Sequence, residues 1–450
     1  MAVELSIRPG TIEGLDAVTI RDRLAGGALK ATDVAEAFLA IIAAREPQIG
    51  AWAFLDREHV LAQATALDAY RSTGRPLGPL HGVPVGVKDI IDTARLPTEN
   101  GTVFDAGRVP SEDAAIIRRL KAAGAIIMGK TVTTELAFLH PSKTRNPANP
   151  DHTPGGSSSG SAAAVAAGMV PLAIGTQTGG SIIRPAAYCG VTGYKPSFGA
   201  ISRTGILTQS PSLDTVGVFA RTVEDAALLS EVLFGHDPTD RATSPAPHPR
   251  LLDTARSAVP VKPTFAFVRT PFWNEAEPAV QGALAELADL LGEQCFEAEL
   301  PSAFAAARDI RETINYAEMA KCYDRYRRSD AQLSETMVKA LDRGAAIPAR
   351  DYIAALDWPN VYGAALDEIF ARSDVLLTPA ATGAAPHGFS STGSPVFNGL
   401  WTLCGVPAIT LPLFEDENGM PIGAQLIGRK GDDGRLLRTA HWLTDFIAGQ

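Results

Sequence analysis

Between residues 83 and 235 the chain alternates short apolar runs with segments of helical periodicity, and this alternation constrains the fold more than any other feature. Val83-Pro84-Val85-Gly86-Val87-Lys88 reads as a buried strand. Ser111-Glu112-Asp113 opens a helix with Ile116, Leu120 and Ala123 on one face and Gly124 as its stop. Residues 125–129 read as the next strand, 162–168 as a helix, 170–174 as a strand and 222–235 as a helix. Short apolar runs alternating with helical patterns favour a mostly parallel sheet with helices on both faces. Upstream, Thr32 reads as the N-cap of a helix that Pro47 stops. Residues 236–263 hold six prolines and little periodicity, and read as a long surface connection. Residues 303–372 are helical in pattern. Strands resume at 375–377, 408–411 and 422–427, and a terminal helix follows Asp432-Asp433. These late strands place the C-terminal part in the same sheet, so residues 1–450 read as one domain.

Several classes of function are excluded on simple grounds. The net charge is −10, without a basic cluster, so no nucleic acid is expected as a partner. No apolar run reaches the ~18 residues that span a bilayer, so no membrane is expected either. The first nine residues lack the apolar core of a signal peptide. The four cysteines are scattered and form no CxxC pair, which argues for a reducing compartment, taken as the cytoplasm. The eight histidines show no ligand spacing, so no metal or other cofactor is expected.

Chemistry concentrates in two loops and one strand end. Gly175-Thr176-Gln177-Thr178-Gly179-Gly180-Ser181-Ile182-Ile183-Arg184-Pro185 follows an apolar strand and sets a serine among small residues. Acyl transfer needs such an arrangement: a nucleophile beside backbone N–H groups that receive an oxyanion. Gly155-Gly156-Ser157-Ser158-Ser159-Gly160-Ser161 lies upstream, and Lys88 ends the strand 83–88. Gly156-x-Ser158-x-Gly160 formally matches a nucleophile elbow, but the proline-rich segment before it cannot be the strand such an elbow requires. The same cluster lacks the lysine of a phosphate-binding loop.

Taken together, Gly82-Val83-Pro84-Val85-Gly86-Val87-Lys88-Asp89, Thr153 to Ser161, Gly175 to Ala187 and Gly193-Tyr194-Lys195-Pro196 resemble the amidase signature family. The likeness is dense over about residues 80–235 and recognisable from 374 to 445. It implies one α/β domain whose large mixed β-sheet is covered by helices. It also implies hydrolysis of a linear carboxamide through an acyl-enzyme, with Ser181 as nucleophile, Ser157 on a cis peptide bond as intermediary and Lys88 as base. Backbone N–H groups of Thr178, Gly179 and Gly180 would form the oxyanion hole, and Ser159 would support Lys88. Burial would press the Lys88 pKa down, while Asp89 points to the opposite face of the strand.

Two departures refine this expectation. Gln177 stands where many family members carry aspartate, and the arginine after the nucleophile comes three residues on, at Arg184, rather than two. The pattern resembles the malonamidase branch, with Arg184 binding the carboxylate of a small monoamide. The alternative is the amide-hydrolysing subunit of an amidotransferase, which passes ammonia to a partner; Gln177 and Arg184 argue against that branch. Substrate choice is expected in 303–372 and around 397–401. A homodimer is left open.

Overall fold

In the computed structural model, residues 11–329 and 332–449 are described. The first nine residues, read above for a leader's apolar core, lie outside them. Eleven strands form one sheet: β1 (Trp52–Leu55), β2 (Pro84–Lys88), β3 (Ile126–Thr131), β4 (Leu172–Gln177), β5 (Thr192–Lys195), β6 (Thr215–Ala220), β7 (Phe265–Val268), β8 (Cys295–Ala298), β9 (Val375–Pro379), β10 (Ala408–Glu415) and β11 (Pro421–Ile427). Their spatial order is β1-β3-β2-β4-β6-β5-β10-β11-β9-β7-β8. Helices surround the sheet, giving a single α/β domain.

The sheet is mixed rather than mostly parallel. β2 runs parallel to β3 and β4, and β7 runs parallel to β8 and β9. The remaining pairings are antiparallel. The strand–helix alternation holds at those two parallel regions. Between them, β10 and β11 form a hairpin whose turn is made by Asp416, which accepts from the N–H groups of Asn418 and Met420 at 2.8 Å.

The parallel triplet β3-β2-β4 positions the loops described below. All five residues of β2 are buried, as expected of a strand covered on both faces. The helix Ser159–Ala166 lies across these strands and is buried through Val165. Gly160 permits that approach. A Cβ there would stand 2.2 Å from the Ala51 carbonyl oxygen and 2.4 Å from the Val132 nitrogen, so only glycine lets the helix start against the strand ends.

Several helix boundaries differ from the sequence reading, each for a tertiary reason. The second helix spans Ala31–Ile49, so Thr32 lies inside it rather than capping it. Its N-terminus is capped from another helix, by Asp68 of Arg57–Ser72, which accepts from Ala31 N (2.7 Å), Thr32 N (3.1 Å) and Thr32 Oγ1 (2.8 Å). Pro47 sits in its last turn without ending it, and Gly50 closes it in the left-handed region. The helix expected from Ser111 begins at Ala115, because Asp113 is engaged by Ala94 N and Lys121 instead. The proline-rich connection 236–263 contains a short helix, Leu251–Arg256, whose Leu251, Leu252 and Ala255 are buried. No helix among the described residues is long and apolar enough to cross a membrane.

Asp68 thus serves as a cap supplied across sequence. Asp68→Ala is expected to lower stability by about 1–2 kcal/mol, read as a fall in the urea midpoint with an unchanged m-value.

Candidate active site

Lys88 ends β2 and is fully buried. Its Nζ donates to Ser157 Oγ at 2.8 Å and to Thr176 Oγ1 at 2.9 Å. No carboxylate lies within ion-pairing distance of it among the described residues. Burial therefore lowers its pKa from 10.5 to about 7, with the charge of Asp214 opposing the shift. Asp89, the next residue, faces away, and its carboxylate lies 3.6 Å from Lys130 Nζ. Lys130 also donates to Ile91 O and Thr98 Oγ1.

The Gly156–Ser157 peptide bond is cis. Ser157 is buried two residues before the helix Ser159–Ala166, whose N-cap is Ser158. Ser159 does not support Lys88 as expected. Its hydroxyl donates to the Gly155 carbonyl at 2.9 Å, one turn back along the chain. Thr176 on β4 occupies that supporting place instead. The sequence reading counted Thr176 as loop, and its proximity to Lys88 follows from the β2–β4 pairing.

Ser181 lies between β4 and the helix Ile183–Cys189 and is partly exposed. Its hydroxyl makes no hydrogen bond among the described residues, so the link from Ser181 to Ser157 is open in this arrangement. Such links commonly close only when substrate is seated. The carbonyls of the loop are tied off: Gly179 O accepts from Thr402 Oγ1 at 2.8 Å and Gly180 O from Arg184 N at 3.0 Å. The N–H groups of Thr178, Gly179 and Gly180, the expected oxyanion donors, and that of Ser181 donate to no protein acceptor among the described residues. Gln177 braces the loop, accepting from Ile182 N (2.8 Å) and Ile183 N (3.0 Å) and donating to Thr402 Oγ1 (3.0 Å). Thr178 donates to Asp214 at 2.6 Å, and Asp214 also accepts from Gln209 N and Ser210 N. Burial raises the Asp214 pKa to about 6. No sequence signal pointed to Asp214.

Arg184 is buried and has no acidic partner among the described residues. Its Nη2 donates to Gly156 O at 2.7 Å and to Thr392 Oγ1 at 3.3 Å, while Nε and Nη1 are buried without acceptors. Burial lowers its pKa to about 10. Beside the loop lies an open cavity of about 600 Å³, reached by Thr176, Thr178 and Asp214 and walled opposite by Lys321 and Cys322.

Comparison with known proteins gives a consistent set of likenesses. The family model described as "Amidase" matches residues 33–437. A glutamyl-tRNA(Gln) amidotransferase subunit of Chloroflexus aggregans is 37% identical over 92% of this chain and 93% of its own length. The protein of the same name from Streptomyces coelicolor is 35% identical over 94% of each. Among solved structures, a chain of the inhibitor-bound vestigial protein complex that revealed the origins of an s-triazine catabolic enzyme superposes with a TM-score of 0.89. It is 30% identical over 96% of this chain and 98% of that one. The native peptide amidase of Stenotrophomonas maltophilia superposes at 0.81, with 29% identity over 96% of this chain and 97% of that one.

The Lys88 environment makes a direct titration informative. The ¹³Cε resonance of Lys88 is expected to titrate near pH 7. Asp214→Asn should move the midpoint lower, because it removes the charge that favours the ammonium. An unmoved or higher midpoint would show that Lys88 does not feel that charge.

Proposed function

Starting from the fact that this chain belongs to the amidase family, we propose that Ser181, Ser157 and Lys88 hydrolyse a small primary carboxamide as the ammonia-releasing component of an amidotransferase-type assembly. The observation that carries the chemistry is a buried lysine, without a counter-ion, hydrogen-bonded to a serine hydroxyl. Neutral Lys88 takes the proton of Ser157 as Ser157 takes that of Ser181. Ser181 Oγ then bonds to the amide carbon, and the N–H groups of Gly179, Gly180 and Ser181 receive the oxyanion. The proton returns through Ser157 to the leaving nitrogen, the C–N bond breaks, and ammonia departs from an ester on Ser181. Water, deprotonated through the same relay, attacks that ester and releases the carboxylate.

The relatives support the assembly. Two proteins matching more than nine-tenths of the chain carry the name of an amidotransferase subunit. This reverses the preference drawn from Gln177 and Arg184, which favoured the malonamidase branch. The reversal has a structural side, since Gln177 is occupied in bracing the loop and Arg184 in holding the Gly156 carbonyl. The second reading, a free-standing hydrolase of malonamate-like monoamides, keeps one supporting observation: two guanidinium donors of Arg184 have no acceptor.

The full chain, purified by tag from a native extract, is expected to bring partner subunits with it and to release ammonia from glutamine or asparagine. A chain that elutes alone and works on malonamate would favour the second reading, and unchanged malonamate turnover in Arg184→Ala would remove the role of Arg184 in it.

Two further outcomes test the relay. Ser181→Ala and Lys88→Ala should each reduce turnover by about 10³-fold or more. The base must be neutral, so kcat/KM should rise tenfold per pH unit below about 7 and level off above it. Near-normal turnover by Lys88→Ala at neutral pH would reassign the base.

A further inference from the structure

We propose that Arg311 anchors a carboxylate carried by the substrate at the end remote from the scissile amide. The inference rests on the amide-hydrolase reading above and names the substrate class it implies: short-chain amides bearing a free carboxylate.

Arg311 belongs to the helix Ala307–Cys322 and is 8% exposed. Its guanidinium reaches the nucleophile loop. Nη1 lies 3.5 Å from the point a Cβ on Gly179 would occupy, two residues before Ser181. The helix Val396–Leu403 makes room for the arginine through Gly399. A Cβ on Gly399 would stand 2.8 Å from Arg311 Nε and 2.9 Å from its Cδ, so a larger residue displaces the side chain. Beside the guanidinium is a cavity of about 140 Å³, walled by Arg308, Arg311, Glu312, Pro395 and Gly399 among others. That space suits a carboxylate on a short chain.

The charge balance around this cavity favours an anion. Glu312 approaches Arg311 Nη2 at only 3.5 Å, and its other oxygen is held by Arg343 at 2.9 Å. Arg308 pairs with Glu275. Three guanidiniums therefore share two carboxylates, and one positive charge is left over. Arg184 adds like-charge repulsion rather than relief. Arg311 Nη1 has no acceptor among the described residues. A substrate carboxylate supplies the missing anion in the planar, two-pronged geometry a guanidinium prefers. Arg184 is less suited to this role, because its unused donors are sealed from solvent and its Nη2 is committed to Gly156.

The test uses the intact chain and three probes in titration calorimetry: malonate, succinate, and neutral succinamide as the uncharged control. Wild type is expected to bind a dicarboxylate more tightly than succinamide. Arg311→Gln should weaken dicarboxylate binding by about tenfold or more, and Arg311→Lys should recover part of it. Gly399→Ala pushes the arginine aside without removing it and should show the same loss, which guards against misfolding of the first variant. In turnover, Arg311→Gln should raise KM for carboxylated amides more than it changes kcat, so that selectivity over neutral amides falls by about tenfold. Dicarboxylate binding no tighter than succinamide in wild type, or unaltered in both Arg311→Gln and Gly399→Ala, overturns the anchor. Because calorimetry does not require turnover, an enzyme that binds dicarboxylates yet cleaves no amide would overturn the function and leave the anchor standing.

Discussion

A lysine with no counter-ion at the end of a fully buried strand is the constraint on which the rest of this structure depends. Holding the Lys88 ammonium there rather than in water costs on the order of 5 kcal/mol, from a pKa lowered to about 7. Two other buried lysines show how the fold handles the same problem differently. Lys130 keeps a carboxylate, Asp89, at 3.6 Å. Lys195 gives its protons to two backbone carbonyls, Pro196 O and Val406 O. Lys88 alone of the three meets two side-chain hydroxyls, Ser157 and Thr176, as its hydrogen-bond partners. Carbonyls can only accept, whereas a hydroxyl can also donate. Hydroxyl partners therefore leave a neutral amine with an acceptor role to play, which is what the proposed relay asks of Lys88.

The loop opposite follows a complementary rule. Its carbonyls are bound, by Thr402 and by the Arg184 backbone, and its N–H groups point at nothing in the protein among the described residues. Bound carbonyls fix the peptide planes, and the N–H groups of the same loop are left without protein acceptors among the described residues. Such preorganised donors act without rearrangement when charge develops. The bracing comes from far along the sequence, through Thr402 and Asp214. The helix Val396–Leu403 thus helps position the loop through Thr402.

This explains what was legible in the sequence. The strands around Lys88 and Ser181 were readable because they are short apolar runs, and Lys88, Ser157 and Ser181 stood out through motif and spacing. Thr176, Asp214 and Arg311 did not, because each matters only through a neighbour distant in sequence. Ser159 was misread for the opposite reason: its hydroxyl found a local carbonyl, four residues back, the usual recourse of a serine near a helix start. Strand direction was hidden too. Apolar runs report that a strand is covered, but its direction depends on which strand it pairs with, and the antiparallel centre β6-β5-β10-β11 joins strands from the middle of the chain to strands near its C-terminal end.

Gln177 shows how one substitution can set the character of the whole site. Its amide oxygen accepts from Ile182 and Ile183, a task a carboxylate would also perform. Its amide nitrogen donates to Thr402, which a carboxylate cannot do. Thr402 is then free to donate to the Gly179 carbonyl, so the neutral side chain extends the bracing by one link. A carboxylate at this position would also place a negative charge beside the helix start that carries Arg184. Arg184 has no acid to pair with among the described residues, and Asp214 is already committed to Thr178 and two backbone N–H groups. With Gln177 in place, the loop brings no carboxylate toward Arg184, and the excess of guanidiniums over carboxylates around Arg311 is the charge balance on which the proposed anion site rests.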